Sequence, residues 1–280
     1  MSTVCQVLGV ARSNVHERAK RAASWSDGRK NRRSLDDAGL VAEIRAEVKD
    51  LPTYGYRRAC EFVRRRRRAD GRPMVNPKRV YRVMREYALL LPRSPRRGAD
   101  RRHDGRIGVD QSDLRWCSDA LEICADNGER VRLAFSLDCC DREVMSWVAV
   151  GNAGIDGNLV RDMMLEAVEQ RFGIPQAPTP IQWLSDNGSP YIAGDTRAFA
   201  RELGLVPLTT PIESPQSNGM AEAWVNTLRR DYVSVNAIPD ARSILDQLPR
   251  WIEHYNEHHP HSALKMRSPR MFRREQALVG

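Results

Sequence analysis

The stretch Ile181-Gln182-Trp183-Leu184-Ser185-Asp186 is a short apolar run ending in an acid, and Glu222 follows 35 residues beyond that acid. A run of this length with bulky apolar side chains reads as a buried strand that delivers a carboxylate at its end. A third acid, Asp119, lies upstream in Trp116-Cys-Ser-Asp119-Ala-Leu. If these two segments pair as strands and Glu222 sits on a helix, the three acids converge. Three carboxylates suit a divalent metal such as Mg²⁺, because hard oxygen ligands hold it and leave positions for phosphate and water.

Working outward, residues 131–138 alternate in polarity, and Asp126-Asn127-Gly128 supplies a hairpin turn to the segment of Asp119. Glu143 to Val150 reads as a third strand. A helix spans 156–172 with Val160, Met163, Met164, Ala167, Val168 and Phe172 on one face. Gln182 to Ser185 is the fourth strand, Thr196 to Leu203 a helix capped by Asp195, Leu205 to Thr209 the fifth strand, and Met220 to about Val233 a helix. Three antiparallel strands followed by alternating helix and strand predict an α/β fold. It is the order of a ribonuclease-H-like mixed five-stranded sheet with helices on both faces.

On the helix from Met220, the residues Asn218, Glu222, Asn226 and Arg229 fall within about 40° of Glu222, while Met220 and Trp224 lie opposite. Polar groups therefore gather around the acid, with Arg229 two turns on to contact phosphate. Segment 210–219 is rich in turn residues, with Pro211, Pro215 and Gly219. It is expected to be mobile until DNA and metal draw Glu222 inward.

Charge divides the chain. Residues 1–105 carry 27 Lys+Arg against 12 Asp+Glu, whereas 106–280 carry 18 against 24. The basic part is expected to hold DNA. Residues 4–20 outline a helix, a turn at Gly9 and a second helix that Ser13 can cap, as in a helix-turn-helix. Residues 35–91 read as a compact helical domain: Leu40, Val41, Ile44 and Val48 have helical spacing, a helix through Arg57 to Arg68 stops near Gly71, and Asn76-Pro77 caps a third helix to Tyr87. The five consecutive arginines Arg64, Arg65, Arg66, Arg67 and Arg68 point all around their helix, so some must face solvent. With Lys78, Arg79 and Arg82 they are candidates for phosphate contacts that release counterions. Residues 92–109 read as a linker, 110–235 as the catalytic core and 236–280 as a helical extension.

Six cysteines without C-x-x-C spacing read as reduced, mostly buried thiols. No apolar run approaches the roughly 20 residues that span a bilayer, and no signal-peptide pattern follows Met1. No membrane partner is expected. A cytoplasmic protein, associated with the nucleoid when bound to DNA, is.

Five strings stand in order: Trp116-Cys-Ser-Asp119, Ser136-Leu-Asp-Cys-Cys-Asp-Arg-Glu143, Ser185-Asp-Asn-Gly-Ser189, Ser217-Asn-Gly-Met-Ala-Glu222 and Tyr255-Asn followed by His259-Pro-His-Ser-Ala-Leu264. With the 35-residue spacing they resemble the second-reading-frame transposases of a large bacterial insertion-sequence family with retroviral-integrase-like catalytic domains. Tyr54-Gly-Tyr-Arg-Arg58 and Asn76-Pro-Lys-Arg-Val80 resemble that family's helical DNA-binding region. The resemblance implies that Asp119, Asp186 and Glu222 are catalytic acids binding two Mg²⁺ (or Mn²⁺) ions, with Arg229, and Arg230 beside it, in DNA contact. It implies an enzyme that cleaves the ends of its own element in double-stranded DNA and joins the 3′-hydroxyl to a target strand, working as a homo-oligomer on DNA. It further implies an upstream-frame protein, as fusion or partner, and hence a chain that is the catalytic part without its full targeting module.

Two other readings compete. One is a nuclease of the same fold without strand transfer; the other is a DNA-binding regulator with an inactive catalytic domain. The basic N-terminal region and the spacing of Glu222 favour the transposase. His254, His258, His259 and His261 lack cysteine partners at zinc spacing. With Ile244, Leu248, Trp251, Ile252 and Tyr255 they read as an apolar helix leading to a solvated His-rich end. Asp138, ending a strand, reads as a hydrogen-bond acceptor outside the trio, and Asp141 is kept outside with it. Glu213 is expected to face solvent.

Overall fold

The structure, a computed structural model, describes residues 2–21, 36–49, 51–92, 109–209 and 219–278. Most of the 92–109 linker, the 210–218 segment with Asn218 and Glu213, and residues 22–35 lie outside the described residues. The chain divides into two units, 1–39 and 40–280. In the first, α1 (Ser2–Val7) and α2 (Arg12–Ala19) flank a left-handed Gly9. Ser13 does not cap α2. The helix begins at Arg12, so Ala11 occupies the cap and Ser13 lies inside the first turn.

In the second unit, α3 (Ala38–Val48), α4 (Tyr56–Ala69) and α5 (Pro77–Glu86) close on Leu40, Ile44, Ala59, Val63, Val80, Val83 and Met84. Asn76 caps α5 by accepting from the Lys78 amide at 2.9 Å, and Pro77 occupies the first turn, where no amide is needed.

The sheet is β1 (Arg115–Cys124), β2 (Arg130–Asp138), β3 (Val144–Gly151), β4 (Ile181–Ser185) and β5 (Leu205–Thr209), ordered β3-β2-β1-β4-β5. β1, β2 and β3 pair antiparallel; β4 joins β1 and β5 in parallel. Alternation along the strands sends Cys117, Leu121, Leu133, Phe135 and Leu137 to one face, against α9 (Gly219–Asp231) and α10 (Ala241–Glu257). Trp116, Ala134 and Met145 face the other, against α6 (Gly157–Phe172) and α8 (Gly194–Glu202). The mixed, ribonuclease-H-like sheet is as expected. Asp195 is not a cap, because α8 begins at Gly194 and puts it in the first turn, where its charge favours the helix dipole. A short α7 (Ser189–Ile192) precedes α8, and α11 (Pro269–Ala277) ends the described chain.

Two buried polar joints hold these layers. Arg171, at the end of α6, donates to Asp113 at 2.6 Å, Asp141 at 2.5 Å and Glu143 at 2.8 Å, tying the entry to β1 and the β2–β3 turn to one guanidinium. Asp138 accepts from the amides of Asp113, Cys140 and Asp141, the structural role expected of it. In the second joint, fully buried Asp231 at the end of α9 accepts from Thr53 at 2.7 Å, Arg58 at 2.8 Å and Arg230 at 2.7 and 2.6 Å. Beside it the Tyr54 hydroxyl meets His259 Nδ1 at 2.7 Å, and Tyr232 meets His254 Nδ1 at 3.0 Å.

The His-rich end is therefore only partly solvated, with His258 exposed and His254 half-buried. His259 and His261 are buried against Tyr54, Tyr232 and Tyr255, because the chain after α10 turns back under α4. Burial lowers His261 to about 3 and His254 to about 4, with nearby cationic charge adding to the effect in each case. The unfolded chain, near the ordinary value of about 6.5, takes up these protons first. Stability from neutral His261 is thus complete above about 6.5 and is lost as pH falls toward 3. His261→Gln should accordingly lose less stability than the unaltered chain between pH 7 and pH 4, as read by denaturant midpoints at each pH.

Candidate active site

β4 meets β1 only where Gln182, Trp183 and Leu184 face Arg115, Trp116 and Cys117. β4 then ends at Ser185, while β1 runs on to Cys124 paired with β2 alone. From Ser118 onward, one edge of β1 has no strand beside it. Unpaired strand edges offer hydrogen-bonding groups that something must satisfy. Here α9 lies alongside, and Arg229 Nη2 donates to the Glu122 carbonyl at 3.4 Å.

The sequence brings its three acids to this opening. Asp119 is half-buried on the uncovered part of β1, on the face that α9 covers. Asp186 is exposed immediately past β4, and Glu222 is exposed in the first turn of α9. α9 is held by Ala221, Trp224 and Leu228, with Trp224 packed 4.1 Å between ring centroids from Phe135, which fixes the opposite face outward. A groove results, lined by Asp119, Ala120, Leu121, Glu122, Glu222, Val225, Asn226 and Arg229. Burial raises Asp119 to about 6, and the charges of Asp186 and Glu222 add to the rise against the Ala120 amide.

Three residues not singled out as functional in the sequence set the geometry around the acids. Gly188 donates its amide to Asp186 Oδ1 at 3.0 Å, and a Cβ there would stand 3.0 Å from the same oxygen. Glycine lets the carboxylate fold back over the turn. Tyr191 on α7 accepts from Ser118 Oγ at 3.0 Å in a buried contact. That bond links the segment after Asp186 to the residue before Asp119. Its signal was present in Pro190, which at the start of a short helix turns Tyr191 inward.

Among the described residues, no three His, Cys, Asp or Glu side chains converge closely enough to hold a metal ion. The donors nevertheless fit a hard divalent cation, being carboxylates with oxygens left over after the bonds to Ala120 and Gly188.

The arginine run behaves differently from expectation. Arg64 donates to the Val75 carbonyl at 3.0 Å, Arg65 to the carbonyls of His258 at 2.8 Å and Met266 at 2.6 Å, and Arg67 to Glu43 at 2.8 and 3.0 Å. These three fasten α4 to its surroundings and are not available as a uniform phosphate comb. Arg66 is exposed while paired with Glu47, and Arg68 and Lys78 are exposed. Arg82 pairs with Glu86 at 2.9 Å, Arg79 is half-buried on α5, and Arg230 is turned to Asp231. Asn226 and Arg229 border the groove.

The chain matches the integrase core domain family over residues 110–215, a second integrase core domain family over 205–269, and an HTH-like domain over 34–98. The last falls on α3 to α5, not on the 4–20 outline. Transposase InsD for insertion element IS2A/D/F/H/I/K of Escherichia coli is 48% identical over 281 residues, covering 100% of this chain and 93% of that protein. Among solved structures, the catalytic domain of Mos1 mariner transposase is similar at TM-score 0.42 and 15% identity, covering 50% of this chain and 70% of that one. The catalytic core domain of BIV integrase is similar at TM-score 0.40 and 14% identity, covering 60% and 97%.

Titration of Asp119 followed by carboxyl NMR should give a value near 6, above the ordinary carboxylate range. Combining Asp186→Asn with Glu222→Gln removes two like charges and should lower it. An unchanged value in the double variant would mean that the three acids do not share a field.

Proposed function

Because the chain belongs to the integrase-core transposases of bacterial insertion elements, we propose that Asp119, Asp186 and Glu222 are its catalytic, metal-binding acids. As a DNA transposase it is a polynucleotidyl transferase. The observation that carries the assignment is the uncovered edge of β1, where the field of Asp186 and Glu222 reaches Asp119. Catalytic domains of this type use divalent metals, and the trio would hold two Mg²⁺ or Mn²⁺ ions. Such ions would supply an activated water or 3′-hydroxyl and charge stabilisation of the leaving oxygen.

The chain's own residues do the rest. Gly188 and the Ser118–Tyr191 bond orient Asp186 and Asp119, so that little reorganisation remains when DNA arrives. α9 presents Glu222 from the other side, with Asn226 and Arg229 toward the phosphates. No covalent protein intermediate is needed. Cleavage exposes a 3′-hydroxyl at the element end, and strand transfer joins it to target DNA.

The HTH-like region binds DNA. We assign residues 1–34 to a short helix-turn-helix-like segment, 35–91 to the basic DNA-binding domain, 92–109 to a linker, 110–235 to the catalytic core and 236–280 to the extension. Within the second, Arg66, Arg68 and Lys78 are the exposed phosphate candidates. Pairing of two element ends calls for a homo-oligomer on DNA. An upstream-frame protein would complete targeting, and the enzyme would act in the cytoplasm on the nucleoid. No helix among the described residues is long and apolar enough to cross a membrane.

With end-containing duplex and Mg²⁺, Asp119→Asn, Asp186→Asn and Glu222→Gln should each reduce strand cleavage by at least about 10³-fold, while DNA retention in a filter assay stays within about twofold. Near-normal cleavage by Glu222→Gln would overturn the assignment. In the same assay Arg66→Ala with Arg68→Ala should weaken binding to end and random duplexes alike and lower the salt slope by about two. Arg65→Ala should instead lower the unfolding midpoint, since it strips the carbonyls of His258 and Met266 of their donor.

A further inference from the structure

The arginine run on α4 is largely tied to the protein's own carbonyls and carboxylates, and residues 106–280 carry 18 Lys+Arg against 24 Asp+Glu. DNA lying across an acidic groove therefore needs local cations. Three guanidiniums surround one glutamate there. Glu122 Oε1 accepts from Arg130 Nη1 at 3.1 Å and Oε2 from Arg132 Nε at 3.3 Å, while its carbonyl accepts from Arg229. Arg130 and Arg132 stand two residues apart on β2 and so share a face; their side chains are 61% and 48% exposed. Cross-strand ion pairs this exposed contribute little to stability, so the fold alone does not account for the gathering.

Beside the pair runs a cleft lined by Gly128, Arg130, Arg132, Asn152, Ala153 and Gly154. Gly128, in a left-handed conformation, leaves open space on its own side, and a Cβ at Gly154 would approach Arg132 Nη1 to 3.4 Å. Two glycines thus keep side chains out of the approach to the guanidiniums. Glu122, on the uncovered part of β1, also lines the acid groove, so its carboxylate stands between the groove and the two guanidiniums. The other nearby acid, Glu129, is committed to the Asn152 side chain and the Ala241 amide.

We propose that Arg130 and Arg132 form a cradle for a backbone phosphate of the DNA strand leaving the acid groove, with Glu122 as an internal competitor for it. A carboxylate bridging two guanidiniums presents two acceptor oxygens, the same pattern a phosphodiester presents. Arriving phosphate displaces Glu122, and the competition keeps the cradle neutralised when no DNA is present. This rests on the groove being the site of DNA chemistry.

The test uses the full chain, without divalent ions, binding labelled random-sequence duplex across a salt series. Arg130→Gln with Arg132→Gln should lower the slope of log affinity against log salt by about two, and Arg130→Lys with Arg132→Lys should retain it. Glu122→Gln should raise affinity about twofold to fivefold by releasing an exposed ion pair. A wild-type slope in the double glutamine variant, at unchanged circular dichroism, would overturn the proposal. So would equal or weaker binding by Glu122→Gln. Because no cleavage is measured, these outcomes stand apart from those of the acid variants: retained cleavage in Glu222→Gln removes the groove's role, whereas an unchanged slope removes the cradle alone.

Discussion

The proposed active site depends on a pairing that stops. β4 follows β1 for three registers and then ends, while the antiparallel side of β1 continues to Cys124. A strand held firmly along one edge and bare along the other is both rigid and approachable. The bare edge exposes a half-buried Asp119 whose backbone is fixed by the ladder to β2, so the acid is fixed in position while remaining open to a large polymer. Had β4 run two residues further, it would have covered the position where Asp186 now turns away. Catalysis on a duplex needs such a shallow, open site, since a closed pocket admits only small ligands.

The two faces of the sheet divide the labour. On one, α6 and α8 pack on Trp116, Ala134 and Met145 to form an apolar layer, with the ion cluster of Arg171 at its border. A charge that deeply buried is tolerable only when well partnered, and Arg171 has three carboxylates within hydrogen-bonding distance. On the other face, α9 and α10 pack on Leu133, Phe135 and Leu137 and carry Glu222 to the opening.

Much of this was legible in the sequence because it is local. Alternation in 131–138, the Asp126-Asn127-Gly128 turn and the Asn76-Pro77 cap each depend on neighbours a few residues away, and each element appears where expected. What the sequence concealed depends on distant partners. Arg65 reads as solvent-seeking charge until the carbonyls of His258 and Met266 come beneath it. His259 and His261 read as a polar end until Tyr54 and Tyr255 close over them. Ser13 and Asp195 have the right chemistry for caps and the wrong position, because each helix starts two residues earlier than its polarity pattern suggests. The three proposed acids were picked out by type and spacing. Of the residues around them, Gly188 stands in a quoted motif without a role and Tyr191 in none, since the effect of Tyr191 lies in a hydrogen bond across the fold.

Asp231 and Glu222 occupy opposite ends of one helix, about 13 Å apart along its axis. The far end is bolted to Thr53 and Arg58 of the basic helical region through a carboxylate with no exposure to water. Reader and cutter are thus not beads on a string. Grafting a foreign module in place of the native one would leave a buried anion without two of its donors and loosen the rod that carries Glu222. Altering exposed side chains on α4 and α5 leaves this joint intact, whereas exchanging the region as a cassette does not.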